Sequence, residues 1–196
     1  MKKVEIERKR RVFDDFFKIE EAFVRYEKFD GQMSDRVRRL NFERGDAAAV
    51  LIFNRETQRI ILVQQFRFPT YEKGDGWMIE VVAGILGKDE KPEEAVRREV
   101  LEETGYRVSE LTPISTFYLS PGGSSERIFL YYAEVVDSDK VASGGGVETE
   151  HEDIRILEYS LPETWQAWQA GEIKDAKTII ALMWLRSRVN RGSKER

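Results

Sequence analysis

The stretch GILGKDEKPEEAVRREVLEETGY, residues 84–106, decides how the rest of the chain can be interpreted. Pro92 suits the first turn of a helix, where its missing N–H costs nothing, and Gly105 suits the left-handed position just after a helix ends. Together these two residues predict a helix of about three and a half turns. Because successive helical residues are about 100° apart, the helix carries several of its glutamates along one edge.

Three carboxylates share that edge: Glu99 and Glu103 lie one above the other, and Glu102 lies beside them. Like charges at this spacing repel each other. Arg97 and Arg98 can compensate part of the repulsion, but the simplest complete answer is a divalent cation that prefers oxygen ligands, Mg²⁺ or Mn²⁺. The alternative is a solvated helix face that merely carries many charges.

The spacing of the whole stretch favours the cation. One glycine, four acidic residues, an arginine, a second glycine and a large apolar residue stand in a fixed order, and this order matches the signature of the Nudix hydrolases at every position. The matching residues are Gly84, Glu90, Arg98, Glu99, Glu102, Glu103, Gly105 and Tyr106. The chain therefore resembles that family over roughly residues 30–185, and the resemblance implies an enzyme that cleaves a pyrophosphate bond with Mg²⁺. The implied substrate is a nucleoside diphosphate linked to another moiety.

The resemblance also implies how metal is held. The carbonyl of Ala83, just before the first glycine, is a predicted ligand, together with Glu99, Glu103 and Glu152. A glycine at 84 would let the backbone approach the ion closely. The predicted role of Glu90, Arg98 and Glu102 is to orient these ligands.

Composition limits the classes of protein that fit. The chain has 196 residues, of which 41% are hydrophobic, enough for one globular core with a small appended sheet. It has no cysteine and begins with a charged segment, so we expect a cytoplasmic protein. The net charge of −4 is spread along the chain, which argues against nonspecific nucleic-acid binding, and no apolar stretch is long enough to cross a membrane.

The fold class predicted by the resemblance is α/β: the Nudix α/β/α sandwich with a mixed central sheet. Within it, residues 47–53 and 60–66 are apolar and β-branched and predict a buried hairpin. Arg67 follows the second run and is either a bidentate clamp for phosphate or sugar, or a surface cation. Further strands are expected at 77–83, 111–119 and 128–136, and helices at 161–170 and 174–189.

Residues 1–43 predict a small N-terminal antiparallel β extension before the catalytic domain at 44–189, and 190–196 form a polar tail. By resemblance to ADP-ribose pyrophosphatases, the extension packs across the interface of a homodimer. Arg38 and Arg39 are then candidate contacts to the nucleotide, with exposed strand arginines as the alternative.

The octet SPGGSSER, residues 120–127, is a tight turn by composition. It also resembles a loop of ADP-ribose pyrophosphatases, which makes Ser124, Glu126 and Arg127 further candidates for substrate binding.

Residues 137–153 contain three consecutive glycines followed by an acidic run. Composition alone favours a solvated loop, but a glycine-hinged loop could instead close over the metal site. By the resemblance, Glu152 is predicted to be a metal ligand and Glu150 the catalytic base, although the two could exchange roles. His151, the only histidine, is interpreted as a bystander.

Substrate choice remains open between two nucleotide sugars. The SPGGSSER octet and the MSDRVRR segment favour ADP-ribose, giving AMP and ribose 5-phosphate, and we place this substrate first. The GGGVE and GEIKDAKT stretches resemble a GDP-mannose-cleaving relative, which gives GMP and mannose 1-phosphate. A catalytically silent Nudix-fold sensor predicts a damaged signature and an added nucleic-acid-binding region, and this chain has neither.

Overall fold

The structure is a computed structural model that describes residues 2–192, apart from the side chains of Glu150 and of residues 190–192. Two units are distinguished by their internal contacts, one comprising residues 1–46 with 118–127, the other residues 47–117 with 128–196. The first unit contains a three-stranded antiparallel sheet in the order β1-β2-β3. Its strands are β1 Val4–Asp14, β2 Lys18–Tyr26 and β3 Val37–Glu43. The predicted N-terminal antiparallel sheet is therefore confirmed.

The second unit is built on a seven-stranded sheet. Its elements are β4 Ala47–Asn54, β5 Arg59–Phe66, α1 Phe68–Tyr71, β6 Trp77–Glu80, β7 Val82–Ile85, α2 Pro92–Thr104, β8 Thr112–Tyr118, β9 Arg127–Val135, β10 Arg155–Ser160, α3 Leu161–Gln169 and α4 Ala176–Gly192. The order of the main strands is β10-β5-β4-β9-β8, and β4 runs parallel to β9 but antiparallel to β5. The predicted mixed sheet is thus confirmed. None of the helices in the described residues has the length and apolar character needed to cross a bilayer.

Both faces of this sheet are covered, as the residue pattern of β4 requires. Side chains alternate between the two faces of a strand. In β4, Ala48, Val50 and Ile52 pack in a core with α2, whereas Ala49 and Leu51 pack in a second core with α3 and α4. A strand covered on both faces favours apolar residues at successive positions, which explains the uninterrupted hydrophobic run of β4 from Ala47 to Phe53.

The sheet forks between β4 and β5. These strands pair only at 52–54 with 59–61, and then diverge. Strand β6 fills the gap by pairing with β5, and β7 fills it by pairing with β4. The single strand predicted at 77–83 is therefore wrong in detail, because the chain changes its partner strand at Val81.

Three further elements differ from the sequence interpretation. Strand β10 and the short helix α1 are not anticipated by the sequence interpretation. Helix α4 reaches Gly192, so it extends into the segment predicted as a polar tail, of which 193–196 lie outside the described residues. Residues 137–153 contain only two short 3-10 turns, consistent with the predicted loop.

Candidate active site

At Gly84, strand β7 lies directly against the Glu99 side chain of helix α2. A Cβ atom added at Gly84 would lie 1.7 Å from Oε1 of Glu99 and 2.0 Å from its Cδ. The Glu99 carboxylate thus occupies the space that any other side chain at 84 would need. Ala83, the predicted carbonyl ligand, is the preceding residue of the same strand.

The ends of α2 are those predicted. The helix begins at Pro92, and the backbone N–H of Lys91 donates to the Glu94 carboxylate at 3.2 Å. It ends at Gly105, whose φ of 75° is left-handed and whose N–H donates to the carbonyl of Leu101. Ending here leaves the carbonyls of the last turn without helical partners.

Arg98 joins three of the predicted acidic residues. It donates to both oxygens of Glu90 at 3.0 and 3.1 Å, to Glu99 at 2.7 Å and to Glu102 at 3.2 Å. These contacts raise the pKa of Arg98, and they lower the pKa of Glu90. Arg97, by contrast, donates to the carbonyls of Glu93 and Ser109, and within the described residues it makes no hydrogen bond to these glutamates.

Glu103 carries the largest electrostatic anomaly of the site. Its side chain is 1% exposed, and its Oε2 has no hydrogen-bond partner among the described residues. Burial, reinforced by the charges of Glu99 and Glu152, raises the pKa of Glu103 to about 9. Burial also raises the pKa of Glu99 in spite of Arg98. An unpaired buried carboxylate is costly, and the usual compensation is a cation.

The donor set fits a hard divalent cation. Carboxylate and carbonyl oxygens are the ligands that Mg²⁺ and Mn²⁺ prefer, and the unpartnered Oε2 of Glu103 marks where positive charge is missing. In the side-chain conformations of the described residues, no group of three or more acidic, histidine or cysteine side chains is close enough to enclose an ion. Glu99 in particular is directed to Arg98.

The glycine triplet of the acidic loop is packed against the C-terminus of α2. Gly145 N–H donates to the carbonyl of Glu103 at 2.8 Å, and Gly146 N–H donates to that of Glu102 at 3.1 Å. Glycines 144, 145 and 146 have φ values of 69°, 107° and 90°. The triplet therefore satisfies carbonyls that the helix end leaves open and connects the loop directly to the residues that carry the carboxylates.

Gly144 gives a direct test of this packing. An added Cβ would lie 2.5 Å from the backbone carbon of Thr104 and 2.6 Å from the carbonyl oxygen of Glu103, and neither atom belongs to a flexible side chain. We expect Gly144→Ala to lower the free energy of unfolding by about 2–4 kcal/mol, measured by urea denaturation. Gly171→Ala is the matched control, because Gly171 has φ 76° but open space around its Cβ, and it should cost only about 1 kcal/mol. Equal losses in both variants would contradict the close packing.

Glu152 faces the glutamates of α2. Its charge raises the pKa of both Glu99 and Glu103, so the three carboxylates lie within electrostatic range. Its Oε2 accepts a hydrogen bond from the N–H of Val147 at 3.0 Å.

The side chain of Glu150 lies outside the described residues, so its role as the base stays a prediction. The exposed His151 ends the 3-10 turn at Glu148–Glu150 with φ 56°.

Arg67 is held on one edge only. Its Nε donates to Oε2 of Glu80 at 2.8 Å, and its side chain is 41% exposed. Its two terminal nitrogens have no protein acceptor within the described part of the chain. The predicted phosphate clamp thus has a fixed side and an open side.

The candidates of the first unit have partners within that unit. Arg38 donates to Glu21, which is buried and also accepts from Arg10, and these hydrogen bonds lower the pKa of Glu21. Arg39 is exposed and donates to the carbonyl of Arg38. Their roles in substrate binding, and the homodimer expected from this unit, stay predictions.

Three candidates of the SPGGSSER octet are also engaged. Ser124 donates to the carbonyl of Phe42 at 3.0 Å, which ties the turn to β3. Glu126 is buried and pairs with Arg44 at 3.5 Å, and Arg127 makes a two-point contact with Asp46 at 2.6 and 3.2 Å. These contacts give the octet a structural role, and its predicted role in binding substrate is untested.

Sequence reasoning missed three charged residues near Arg67: Glu80, Asp175 and Lys177. Glu80 interrupts the apolar run WMIEVVAGI, and an acidic residue inside such a run is a signal of a buried ion pair that could have been used. No comparable signal points to Asp175 and Lys177, because they stand in a polar stretch.

Comparisons with known proteins agree with this geometry. The NUDIX domain model matches residues 43–177. A GDP-mannose pyrophosphatase from Citrobacter koseri is 43% identical over 154 residues, which cover 78% of this chain and 79% of the relative. One from Cronobacter sakazakii is 38% identical over 187 residues, which cover 94% and 96%. A crystal structure of an ADP compounds hydrolase has the same fold, with a TM-score of 0.72 and 19% identity over 97% of this chain and 96% of that chain.

Proposed function

Because this chain belongs to the NUDIX domain family and is a pyrophosphatase by class, we propose that it hydrolyses the pyrophosphate bond of a nucleoside diphosphate sugar with Mg²⁺. The observation that carries the proposal is the unpaired, buried carboxylate of Glu103 beside Glu99 and Glu152.

GDP-mannose is the first substrate to test. Relatives that share 36–43% of their residues with this chain are named GDP-mannose pyrophosphatases, and the first two of them align over more than three quarters of it. This ranking reverses the order favoured by the sequence interpretation, in which ADP-ribose stands first. ADP-ribose remains the second candidate because of the SPGGSSER octet.

Each group of the site has a proposed task. The carbonyl of Ala83 and the carboxylates of Glu99, Glu103 and Glu152 would hold Mg²⁺, which supplies positive charge to the diphosphate oxygens and makes an attacking water more acidic. Glu150 accepts the proton of that water, with Glu152 as the alternative base.

The arginines act on either side of these carboxylates. Arg98 holds Glu99 and Glu102 in place through the contacts described above. The open edge of Arg67 binds a phosphate oxygen of the substrate, where its planar N–H groups match the oxygens of the anion.

The test is product analysis with a panel of nucleotide sugars. Purified protein is incubated with Mg²⁺ and GDP-mannose, ADP-ribose or UDP-glucose, and products are separated by ion-exchange chromatography. We expect GMP and mannose 1-phosphate to form fastest, and faster formation of AMP from ADP-ribose would restore that substrate to first place. Binding of the panel without turnover would instead identify a sensor.

A further inference from the structure

A second buried charge cluster lies beside the candidate active site. Lys177, in the first turn of α4, has a side chain only 12% exposed. Its Nζ contacts Oδ1 of Asp175 at 2.7 Å and Oε1 of Glu80 at 3.3 Å. Buried lysines are rare unless they are paired, and this one has two carboxylate partners.

Glu80 connects this lysine to Arg67. One carboxylate oxygen of Glu80 accepts from Lys177 and the other accepts from Nε of Arg67 at 2.8 Å. The Glu80 side chain is 7% exposed, so its carboxylate is largely shielded from water, and the position of one cation constrains the position of the other. The order of contacts is Asp175, Lys177, Glu80, Arg67.

The cluster is balanced in charge. Burial alone would lower the pKa of Lys177, but Asp175 and Glu80 raise it overall, so the ammonium group stays charged. Two carboxylates and two cations then alternate along the cluster. Removing the charge of Lys177 leaves Glu80 and Asp175 without the cation between them, and Glu80 would retain Arg67 as its only charged partner.

A separate contact fixes the same turn of α4 to the fork in the sheet. Asp175 accepts from the N–H and the hydroxyl of Thr178 at 2.9 and 2.7 Å, and so caps the helix. The Thr178 hydroxyl oxygen accepts from the N–H of Val81 at 2.8 Å, at the residue where the chain passes from β6 to β7. The first turn of α4 is therefore held against Glu80 by hydrogen bonds that do not involve Lys177.

The cluster is also within electrostatic range of Glu103, one of the proposed metal ligands. The charge of Arg67 lowers the pKa of Glu103, and the charge of Glu80 raises it. The cation at the open end of the cluster is thus close enough to act on an anion bound beside Glu103.

We propose that Lys177 is a positioning residue that, through Glu80, sets where Arg67 presents its open guanidinium edge to the diphosphate. The proposal rests on the proposed function, since the role given to Lys177 is to help bind the diphosphate of the proposed substrate. It predicts that Lys177 matters for turnover only while Arg67 is present.

A double-mutant cycle tests this dependence. Steady-state kinetics with GDP-mannose and Mg²⁺ are compared for the wild type, Lys177→Met, Arg67→Ala and the double variant. We expect Lys177→Met to lower kcat/KM about 10–30-fold, Arg67→Ala to lower it about 100-fold, and the double variant to match Arg67→Ala within about twofold. Lys174→Met is the matched control, because Lys174 is exposed and lies three residues away, and it should leave kcat/KM unchanged.

Multiplying effects in the double variant would overturn the proposal while leaving the hydrolase function intact. Absence of turnover in the wild type would instead contradict the proposed hydrolase function, and the positioning role of Lys177 together with it. If Lys177→Met does not fold, Lys177→Gln, which keeps N–H donors without the charge, takes its place in the cycle.

An NMR measurement tests the geometry without substrate. In protein with ¹⁵N-labelled arginine, the Nε–Hε signal of Arg67 is identified by its loss in Arg67→Ala. We expect this signal to shift and its exchange with water to accelerate in Lys177→Met, because Glu80 is then free to move. An unchanged signal would contradict the link through Glu80 even if the kinetics had changed.

Discussion

Glu103→Gln is expected to make the protein nearly inactive and yet more resistant to unfolding in the absence of metal. Activity should fall by about 10³-fold or more, corresponding to roughly 4 kcal/mol of transition-state stabilisation, because the variant loses a charged group that we propose as a ligand of the catalytic cation. Stability should rise because glutamine stays neutral at every pH, whereas the buried Glu103 carboxyl group, whose Oε2 has no hydrogen-bond partner among the described residues, must take up a proton on folding or carry a costly buried charge.

The gain in stability depends on pH in a defined direction. The pKa of Glu103 is about 9 in the folded protein, against an ordinary value of 4.5. Below about pH 4.5 the carboxyl group is protonated in both the folded and the unfolded state, so Glu103 does not lower the free energy of unfolding of the wild type. Between about pH 4.5 and pH 9, folding requires a proton that the unfolded chain has released, so the free energy of unfolding of the wild type falls progressively as the pH rises.

Urea denaturation in EDTA measures this effect. The advantage of Glu103→Gln over the wild type should be about 2–3 kcal/mol larger at pH 8.5 than at pH 6. Glu102→Gln is the matched control, since Glu102 is partly exposed and already paired with Arg98, and it should show no such gain. A Glu103→Gln variant that is less stable than the wild type at pH 8.5 would show that the carboxylate is not an uncompensated charge.

Gly84→Ala is expected to damage activity far more than stability. The added methyl group would collide with the end of the Glu99 side chain, which is flexible and can turn away, and not with backbone. The free energy of unfolding should change by no more than about 1 kcal/mol, because a strand gains slightly when glycine is replaced by alanine. Turnover should fall about 100-fold, because Glu99 can no longer lie against the strand that carries Ala83.

Metal binding separates this explanation from general damage. Titration with Mn²⁺, followed by electron paramagnetic resonance of the free ion, should show a Kd at least about 10-fold weaker in Gly84→Ala. Gly74→Ala serves as the control, because its added Cβ would meet only ordinary contact at 3.4 Å. A Gly84→Ala variant with unchanged Mn²⁺ affinity and full turnover would show that Glu99 and β7 do not bind the metal.

The helix that carries the proposed metal ligands could be predicted because the signals for it are local. Pro92, Gly105 and the spacing of Glu99 and Glu103 determine a helix and one of its edges from residues that lie within a few turns of each other. The buried hairpin of β4 and β5 is local in the same sense, since it follows from two apolar, β-branched runs joined by a polar turn. For these elements the sequence interpretation and the structure agree.

What could not be predicted depends on residues far apart in the chain. The partner of Arg67 is Glu80, and the partner of Glu80 is Lys177, 97 positions further on. Glu80 lies in β6, which pairs with β5 where β4 has diverged from it, and nothing in the residues themselves shows that the strands diverge. The glycine triplet suggests a hinge from sequence alone for a similar reason, because its close contact with the end of α2 involves residues about 40 positions earlier in the chain.

The fork also governs where the chain tolerates insertions. Strand β6 takes its register from β5, and β7 takes its register from β4, so the two segments are aligned independently. Residues added to the exposed connection before Trp77 would lengthen a surface loop at small entropic cost and leave both alignments intact. One residue added at Val81 would instead shift β7 against β4 and turn Ala83 to the opposite face. Length variation among homologues should therefore concentrate ahead of Trp77 and be absent between Glu80 and Gly84.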